Sequence, residues 1–201
     1  MPQSLHLCRP TSSLPSRRHI LSLLTFPLAS SAGSVLASTN TSSVADSLRW
    51  SLFEQQGTST GTDPLLLYTI ALVESGFGRG QGNISPWPWT LRSTQSHYAK
   101  TKAEAEKKLA EWIEAYGRKI DIGMCQTNLF WHGHRVKQAA DLLDPPTNLR
   151  VANQILIESL KSSPGDIELG IGRYHNWTEP ERARNYGSRV LAIYRNLKRL
   201  G

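Results

Sequence analysis

One helix-forming segment that ends in a lone carboxylate restricts the fold more than any other part of the chain. Asp63 followed by Pro64 is a strong helix start, because an acidic side chain caps the free amide groups there and Pro suits the first helical position. Residues 65–73 are apolar on almost every face, so a helix formed by them needs packing partners on all sides. We therefore expect a buried central helix that stops at Gly76 and carries Glu74 in its last turn.

Helical spacing recurs through the remainder of the chain, and strand signals are few. Apolar periodicity and capping residues predict further helices at about 44–56, 101–116, 134–143, 148–160, 166–174 and 180–197. Residues 81–96 contain one Gly and two Pro and predict irregular structure, whereas alternation around Asp121 predicts a short extended piece before Gln126. With no repeat or second domain boundary visible, the fold class is mainly α in one domain, which 201 residues suffice to build.

The first 37 residues have the features of a signal peptide. They contain no acidic residue, carry three Arg before the apolar run 20–29, and end in small residues that suit cleavage before Ser38. The apolar run is too short to span a bilayer permanently. Residues 16–21 also resemble the twin-arginine export motif, although Ser22 stands where that motif often has Lys, so the sequence leaves twin-arginine and Sec export open. Residues 38–43 are rich in Ser and Thr and predict a short tether before a folded domain at 44–201.

The charge and the cysteine content restrict which kinds of molecule the exported chain is expected to bind. Cleavage removes three of 23 basic residues and none of the 16 acidic ones, so the net charge falls from +7 to +4. That charge favours residence on a polyanionic cell wall, but it is too small and too dispersed to indicate nucleic-acid binding. Cleavage also removes Cys8 and leaves Cys125 alone, for which a buried thiol is the expected state.

Glu74 is the position most informative about chemistry. Apolar neighbours and the negative end of the helix dipole both raise the pKa of a Glu above its usual value of about 4.3. A carboxyl that keeps its proton near neutral pH suits an acid that must protonate a glycosidic oxygen. A Glu at a helix end that points into water fits the same pattern, and the residue spacing alone leaves the two interpretations open.

Four motifs in order resemble those of the SLT-type lytic transglycosylases of the lysozyme-like superfamily. Residues 73–77 resemble the family's Glu-Ser motif, residues 122–128 its Gly-Leu-Met-Gln motif, residues 172–175 its Ala-Tyr-Asn motif, and Tyr186 before Val190 resembles the late Tyr that closes the domain. The resemblance covers about 64–197. It implies a lysozyme-like single domain with a substrate groove.

The resemblance also implies roles for individual side chains. Glu74 would act as general acid and then general base, and Ser75 would help to orient it. Gln126 would donate to the N-acetyl group of a sugar or to the backbone, and Tyr174 would form a hydrogen bond near the Glu carboxyl and hold its rotamer. His175 stands where the family usually has Asn, and Cys125 occupies its Met position.

Two Trp residues soon after Glu74 have two interpretations. The flat indoles of Trp87 and Trp89 suit the apolar faces of pyranose rings in a groove, but Trp residues held by Pro also commonly plug the side of a core. Residues 83–92 resemble a Pro-Trp-Thr-Leu stretch of transglycosylase-like proteins from conjugative elements. A conjugative or secretion apparatus is therefore a candidate partner.

Two further patterns carry weaker hypotheses. His132 and His134 suggest a metal, but no third ligand is marked nearby, and surface histidines explain the pair more simply. Cys125 with a His is reminiscent of a wall peptidase nucleophile, which requires an exposed thiolate with a low pKa. Asp121 is the nearest second carboxylate, and its alternation with apolar residues is typical of a solvent-facing side chain.

The function that these observations lead us to expect is peptidoglycan cleavage in the periplasm. By resemblance, the chain is a lytic transglycosylase that cuts the bond between N-acetylmuramic acid and N-acetylglucosamine and forms 1,6-anhydromuramoyl ends, with no cofactor, no metal and no membrane span after signal cleavage. Two alternatives stay open. One is a lysozyme-like muramidase, a hydrolase, and the other is a non-catalytic exported subunit that binds the wall.

Overall fold

The fold has a buried central helix, further helices packed around it and two short antiparallel sheets. The computed structural model describes residues 44–78, 80 and 83–200. The helices are α1 Val44–Ser47, α2 Leu52–Thr60, α3 Pro64–Ser75, α4 Lys102–Tyr116, α5 Leu129–His132, α6 Pro145–Lys161, α7 Ile167–His175 and α8 Pro180–Arg199, with 3-10 turns at Gly133–Arg135 and Ala139–Leu143. The prediction of a mainly α fold is confirmed. The predicted signal peptide (1–37) and tether (38–43) lie outside the described residues.

The strands contain only two or three residues each. They are β1 Gly76–Gly78, β2 Ile84–Pro86, β3 Thr90–Arg92, β4 Ser96–Tyr98, β5 Asp121–Ile122 and β6 Thr127–Asn128. β1 pairs with β2, and the other four form an antiparallel sheet in the order β4-β3-β5-β6. The expectation of irregular structure over 81–96 was therefore wrong in part, because three-residue strands are too short to leave an alternating pattern in the sequence.

Local capping explains why the central helix begins where it was predicted. The Asp63 carboxylate accepts hydrogen bonds from the Leu65 and Leu66 amides, and Pro64 occupies the first helical position. Thr101 caps α4 in the same way by accepting from the Glu104 amide. Both helices match their predicted bounds closely because a capping side chain marks the start of each one.

Two predicted helices are broken in the structure. The segment 44–56 forms α1 and α2, because Trp50 has a left-handed φ of 63° between them and Ser51 caps a new helix. Gly57 lies inside α2 rather than ending it, and Gly61 occupies the C-cap with a φ of 74°. The predicted helix 134–143 is replaced by the two 3-10 turns.

Two apolar clusters hold the elements together. The first packs Leu67 and Ile70 of α3 against buried side chains of α6, α7 and α8, including Leu156. The second lies between the four-stranded sheet and α4, and includes Leu91, Leu109 and Ile122. Tyr174 on α7 packs against both clusters. The C-terminal end of α3 and its Glu74 consequently lie where the two clusters meet.

Small residues let α7 and α8 approach closely. A Cβ at Gly172 would overlap the Ala183 carbonyl, and one at Gly187 would overlap the Glu168 carbonyl. This contact fixes Tyr186 of α8 beside the end of α7. Among the described residues, none of the helices combines the length and the apolar character needed to cross a bilayer.

Candidate active site

Glu74 lies in the wall of a pocket of about 730 Å³. Its side chain is close to fully buried, with 6% of the residue surface exposed, so the interpretation of a carboxylate in open water does not apply. Burial raises the pKa of Glu74 from its usual 4.5 to about 7, the hydrogen bond from Tyr186 and the charge of Arg92 oppose this rise, and the charge of Asp121 adds to it. The carboxyl is therefore partly protonated at neutral pH, as the sequence led us to expect.

Tyr186 and His175 contact the carboxyl directly. The Tyr186 hydroxyl donates to Glu74 Oε1 at 2.6 Å, and the His175 ring stacks on the Tyr186 ring at 4.6 Å with 4° between the planes. His175 Nδ1 lies 3.8 Å from the same oxygen. Burial and the charge of Arg189 lower the pKa of His175 from 6.5, which favours the neutral ring at neutral pH. The Tyr186 hydrogen bond holds Oε1 and leaves Oε2 as the oxygen that can carry a transferable proton.

Tyr174, which was expected to form a hydrogen bond near the Glu74 carboxyl, does not donate to the carboxyl itself. Its hydroxyl donates instead to the Cys125 carbonyl at 2.7 Å, and so fixes the turn that carries Gln126. The role assigned to Tyr174 belongs to Tyr186, which lies 112 residues from Glu74 in the chain. In the sequence, Tyr186 stood out only as the late Tyr of the fourth motif, and nothing there indicated its contact with Glu74.

Gln126 lines the pocket in a strained backbone conformation. Its φ is +47°, and its Nε2 donates to the carbonyls of Gly123 at 2.8 Å and Thr90 at 3.2 Å. We expected this amide to donate either to the N-acetyl group of a sugar or to the backbone, and in the structure it donates to the backbone. Oε1 is buried and has no hydrogen-bond partner among the described residues, so an unsatisfied polar atom lies beside the strained backbone.

Asn148 is a supporting residue that the sequence did not reveal. Its Oδ1 accepts from the Cys125 amide at 2.9 Å, and its Nδ2 donates to the carbonyls of Ile122 and Leu142. This side chain clamps the turn between β5 and β6 and packs against Gly123, where φ is +79°.

Ser75 supports the site from behind rather than touching the carboxyl oxygens. Its hydroxyl donates to the Met124 carbonyl at 2.7 Å and accepts from the Trp87 amide at 3.1 Å. It thereby joins the end of α3 to the Gln126 turn and to the segment after β2. Its expected effect on the orientation of Glu74 is indirect.

Three polar side chains form a row across the sheet beside Glu74. Arg92 pairs with Asp121, and Asp121 pairs with Asn128, so the three share one face of the sheet, and all of them line the pocket. Asn128 Nδ2 donates to Asp121 Oδ1 at 2.7 Å, while burial raises the pKa of Asp121. The expectation that Asp121 faces open solvent was wrong, because the polar face of this sheet borders the pocket.

Trp87 and Trp89 do not line the pocket. Trp87 Nε1 donates to the Ala99 carbonyl at 2.7 Å, the two indoles meet edge to face at 6.1 Å, and Trp89 packs on the second cluster. Trp89 therefore has the core-plugging role, whereas Trp87 is half-buried against the rings of Trp89 and Phe77. Trp131 and Trp177 line the pocket instead.

Neither the metal hypothesis nor the peptidase hypothesis gains support from the described residues. His132 and His134 line the pocket, but the described part of the chain contains no group of three or more His, Cys, Asp or Glu side chains able to hold a metal. Cys125 is buried, which confirms the predicted state of this thiol, and burial raises its pKa far above the usual value. A thiol of this kind is a poor nucleophile, so the peptidase hypothesis loses its chemical basis.

Comparison with known proteins identifies no relative of this chain. No protein-family model matches the chain, and neither a curated protein nor a solved structure matches it.

Proposed function

We propose that this chain is an exported peptidoglycan lytic transglycosylase with a lysozyme-like domain, in which Glu74 is the single catalytic acid and base. The observation that carries the proposal is the setting of this carboxyl. It is buried at the end of an apolar helix, has a pKa of about 7, and faces a pocket of about 730 Å³. Gln126, Tyr174 and His175, from the second and third motifs, line the same pocket, which supports the resemblance.

The reaction requires one acid that later acts as a base. Glu74 Oε2 donates its proton to the oxygen between N-acetylmuramic acid and N-acetylglucosamine, and the bond from that oxygen to the muramoyl C1 breaks. The resulting carboxylate then removes the proton of the muramoyl C6 hydroxyl, whose oxygen bonds to C1 and closes the anhydro ring. The proton returns to Glu74, so neither water nor a cofactor is consumed.

The pocket wall supplies the remaining requirements. Tyr186 fixes one carboxyl oxygen, and Gln126 lines the pocket that Glu74 faces. The proposed place of action is the periplasm, by the signal features of residues 1–37. The proposed partners are glycan strands and, by the resemblance of residues 83–92, a conjugative or secretion apparatus that needs the wall opened locally.

A lysozyme-like hydrolase is the second candidate, and Asp121 is the observation that favours it. Hydrolytic glycosidases generally use two carboxylates, and Asp121 lines the same pocket as Glu74. An ionised Asp121 would stabilise positive charge at C1 or activate water. The Asn128 amide and the Arg92 charge both favour its ionised form.

The products separate these candidates from a non-catalytic wall-binding subunit. Purified peptidoglycan is incubated with the mature protein, and the released muropeptides are analysed by mass spectrometry. Anhydromuramoyl ends support the transglycosylase, because each is lighter than a reducing end by one water. Reducing ends select the hydrolase, and the absence of products beside retained wall binding selects the binding subunit.

A further inference from the structure

Two exposed indoles line the pocket and have no role in the chemistry of Glu74. Trp131 on α5 is 68% exposed, and Trp177, between α7 and α8, is 54% exposed. Large aromatic side chains in a pocket wall gain free energy when a ligand covers their faces. We propose that Trp131 and Trp177 are stacking platforms for pyranose rings away from the cleaved bond, so that the pocket binds several consecutive sugars of one strand. This inference rests on the proposed function for the identity of the strand.

The backbone under Trp131 is held in place before any ligand binds. Asn128 caps α5 by accepting from the Phe130 and Trp131 amides, and the same side chain donates to Asp121 beside Glu74. The Phe130 ring meets the Trp131 ring edge to face at 4.8 Å, with 89° between the planes. This platform is therefore coupled rigidly to the row of polar side chains at the acid, which reduces the entropy lost when a sugar is bound.

Trp177 is anchored on a similarly short segment. The neighbouring Asn176 donates its amide to the Gly172 carbonyl and accepts from the Glu179 amide through its side chain. The close contact of α7 with α8 fixes both ends of this connection. Trp177 consequently keeps a defined position relative to His175 and the Glu74 carboxyl.

Two basic groups that line the pocket with the indoles, Arg135 and His132, are not free cations. The Arg135 guanidinium forms two hydrogen bonds with Glu158, at 2.9 and 2.7 Å, so its charge is balanced. Burial and neighbouring charges lower the pKa of His132 to about 4, which keeps that ring neutral. Neutral donors and acceptors beside flat apolar faces are the combination that recognises hydroxyl and acetamido groups on a pyranose.

The test measures binding separately from cleavage. The mature Glu74→Gln protein is titrated in a calorimeter with the hexamer and with the dimer of N-acetylglucosamine. Replacement of Trp131 or Trp177 by Leu keeps apolar bulk but removes the flat face, and we expect each change to weaken hexamer binding about tenfold. Replacement by Phe should restore most of the affinity, and the dimer should respond less than the hexamer.

Trp50→Leu is the matched control, because Trp50 is 88% exposed and does not line the pocket. The platform proposal is wrong if both Leu variants keep the hexamer affinity of the folded Glu74→Gln parent. It is also wrong if the Trp50 variant loses as much affinity as they do, or if the parent does not bind the hexamer. If the Leu variants lose affinity while the wild type releases no product from the wall, the platforms stand and the proposed reaction fails. If the wild type forms anhydro ends but the Leu variants bind normally, only the platforms fail.

Discussion

At the scale of single residues, the position of one proton depends on Tyr186. Its hydroxyl fixes Oε1 of Glu74 and partly opposes the rise in pKa that burial causes. The neighbouring Tyr174 has the same chemistry but donates to a backbone carbonyl. The two hydroxyls therefore act on different targets, one on the Glu74 carboxyl and the other on the turn that holds Gln126.

Tyr186→Phe should raise the pKa of Glu74 further, because the hydrogen bond that lowers it is lost. We expect the alkaline limb of the activity profile to move to higher pH and turnover to fall about tenfold or more as the carboxyl loses its fixed rotamer. Activity on purified wall, measured as a function of pH, checks this result.

Tyr174→Phe is the control for this change. It should lower stability by about 1 kcal/mol and leave the alkaline limb in place. The assignment of the two tyrosines is wrong if both variants keep the wild-type profile, or if only the Tyr174 variant shifts it.

At the scale of elements, the turn between β5 and β6 combines Gly123, the strained Gln126 and the Asn148 clamp. Gly123 and Gly165 have nearly the same φ, 79° and 80°, but their surroundings differ. A Cβ at Gly123 would overlap Asn148 and the Leu142 carbonyl, whereas a Cβ at Gly165 would meet nothing within 4 Å.

These two glycines allow a matched comparison. Gly165→Ala should cost about 1 kcal/mol through backbone strain alone. Gly123→Ala should cost about 1 to 3 kcal/mol more through steric overlap, and should also reduce activity because Gln126 moves. Chemical denaturation of both variants gives the two free energies of unfolding, and equal losses would contradict the role of the clamp.

The elements also show what the sequence could predict. α3 and Glu74 were predicted well because a cap, a Pro and an apolar run coincide within a few residues. The alternation around Asp121 predicted the strand, but not that its polar face borders the pocket. The Tyr186 contact, the Asn148 clamp and the exposure of Trp131 depend on segments far apart in the chain, and local spacing carries no information about such contacts.

At the scale of the whole molecule, the buried acid links stability to pH. Its pKa is raised from 4.5 in the unfolded chain to about 7 in the fold, so the folded state holds a proton that the unfolded state has released. This contribution is complete below pH 4.5 and is lost as the pH rises through 7. The raised pKa of Asp121 acts in the same direction, whereas the lowered pKa values of His132 and His175 act in the opposite direction.

A comparison with Glu74→Gln isolates the contribution of this one acid. We expect the free energy of unfolding of the wild type, relative to the variant, to fall by roughly 3 kcal/mol between pH 4 and pH 8. Denaturant titrations of both proteins across this range test the expectation. A difference that does not change with pH would mean that the carboxyl titrates normally in the folded state.

The central claim is that Glu74 transfers the proton in a reaction that forms anhydro rings. The most direct measurement counts anhydromuramoyl ends released from purified peptidoglycan by equal amounts of folded wild-type and Glu74→Gln protein. We expect abundant anhydro ends from the wild type and about a hundredfold fewer from the variant. Reducing ends in place of anhydro ends, or a variant within about threefold of the wild type, would contradict the account.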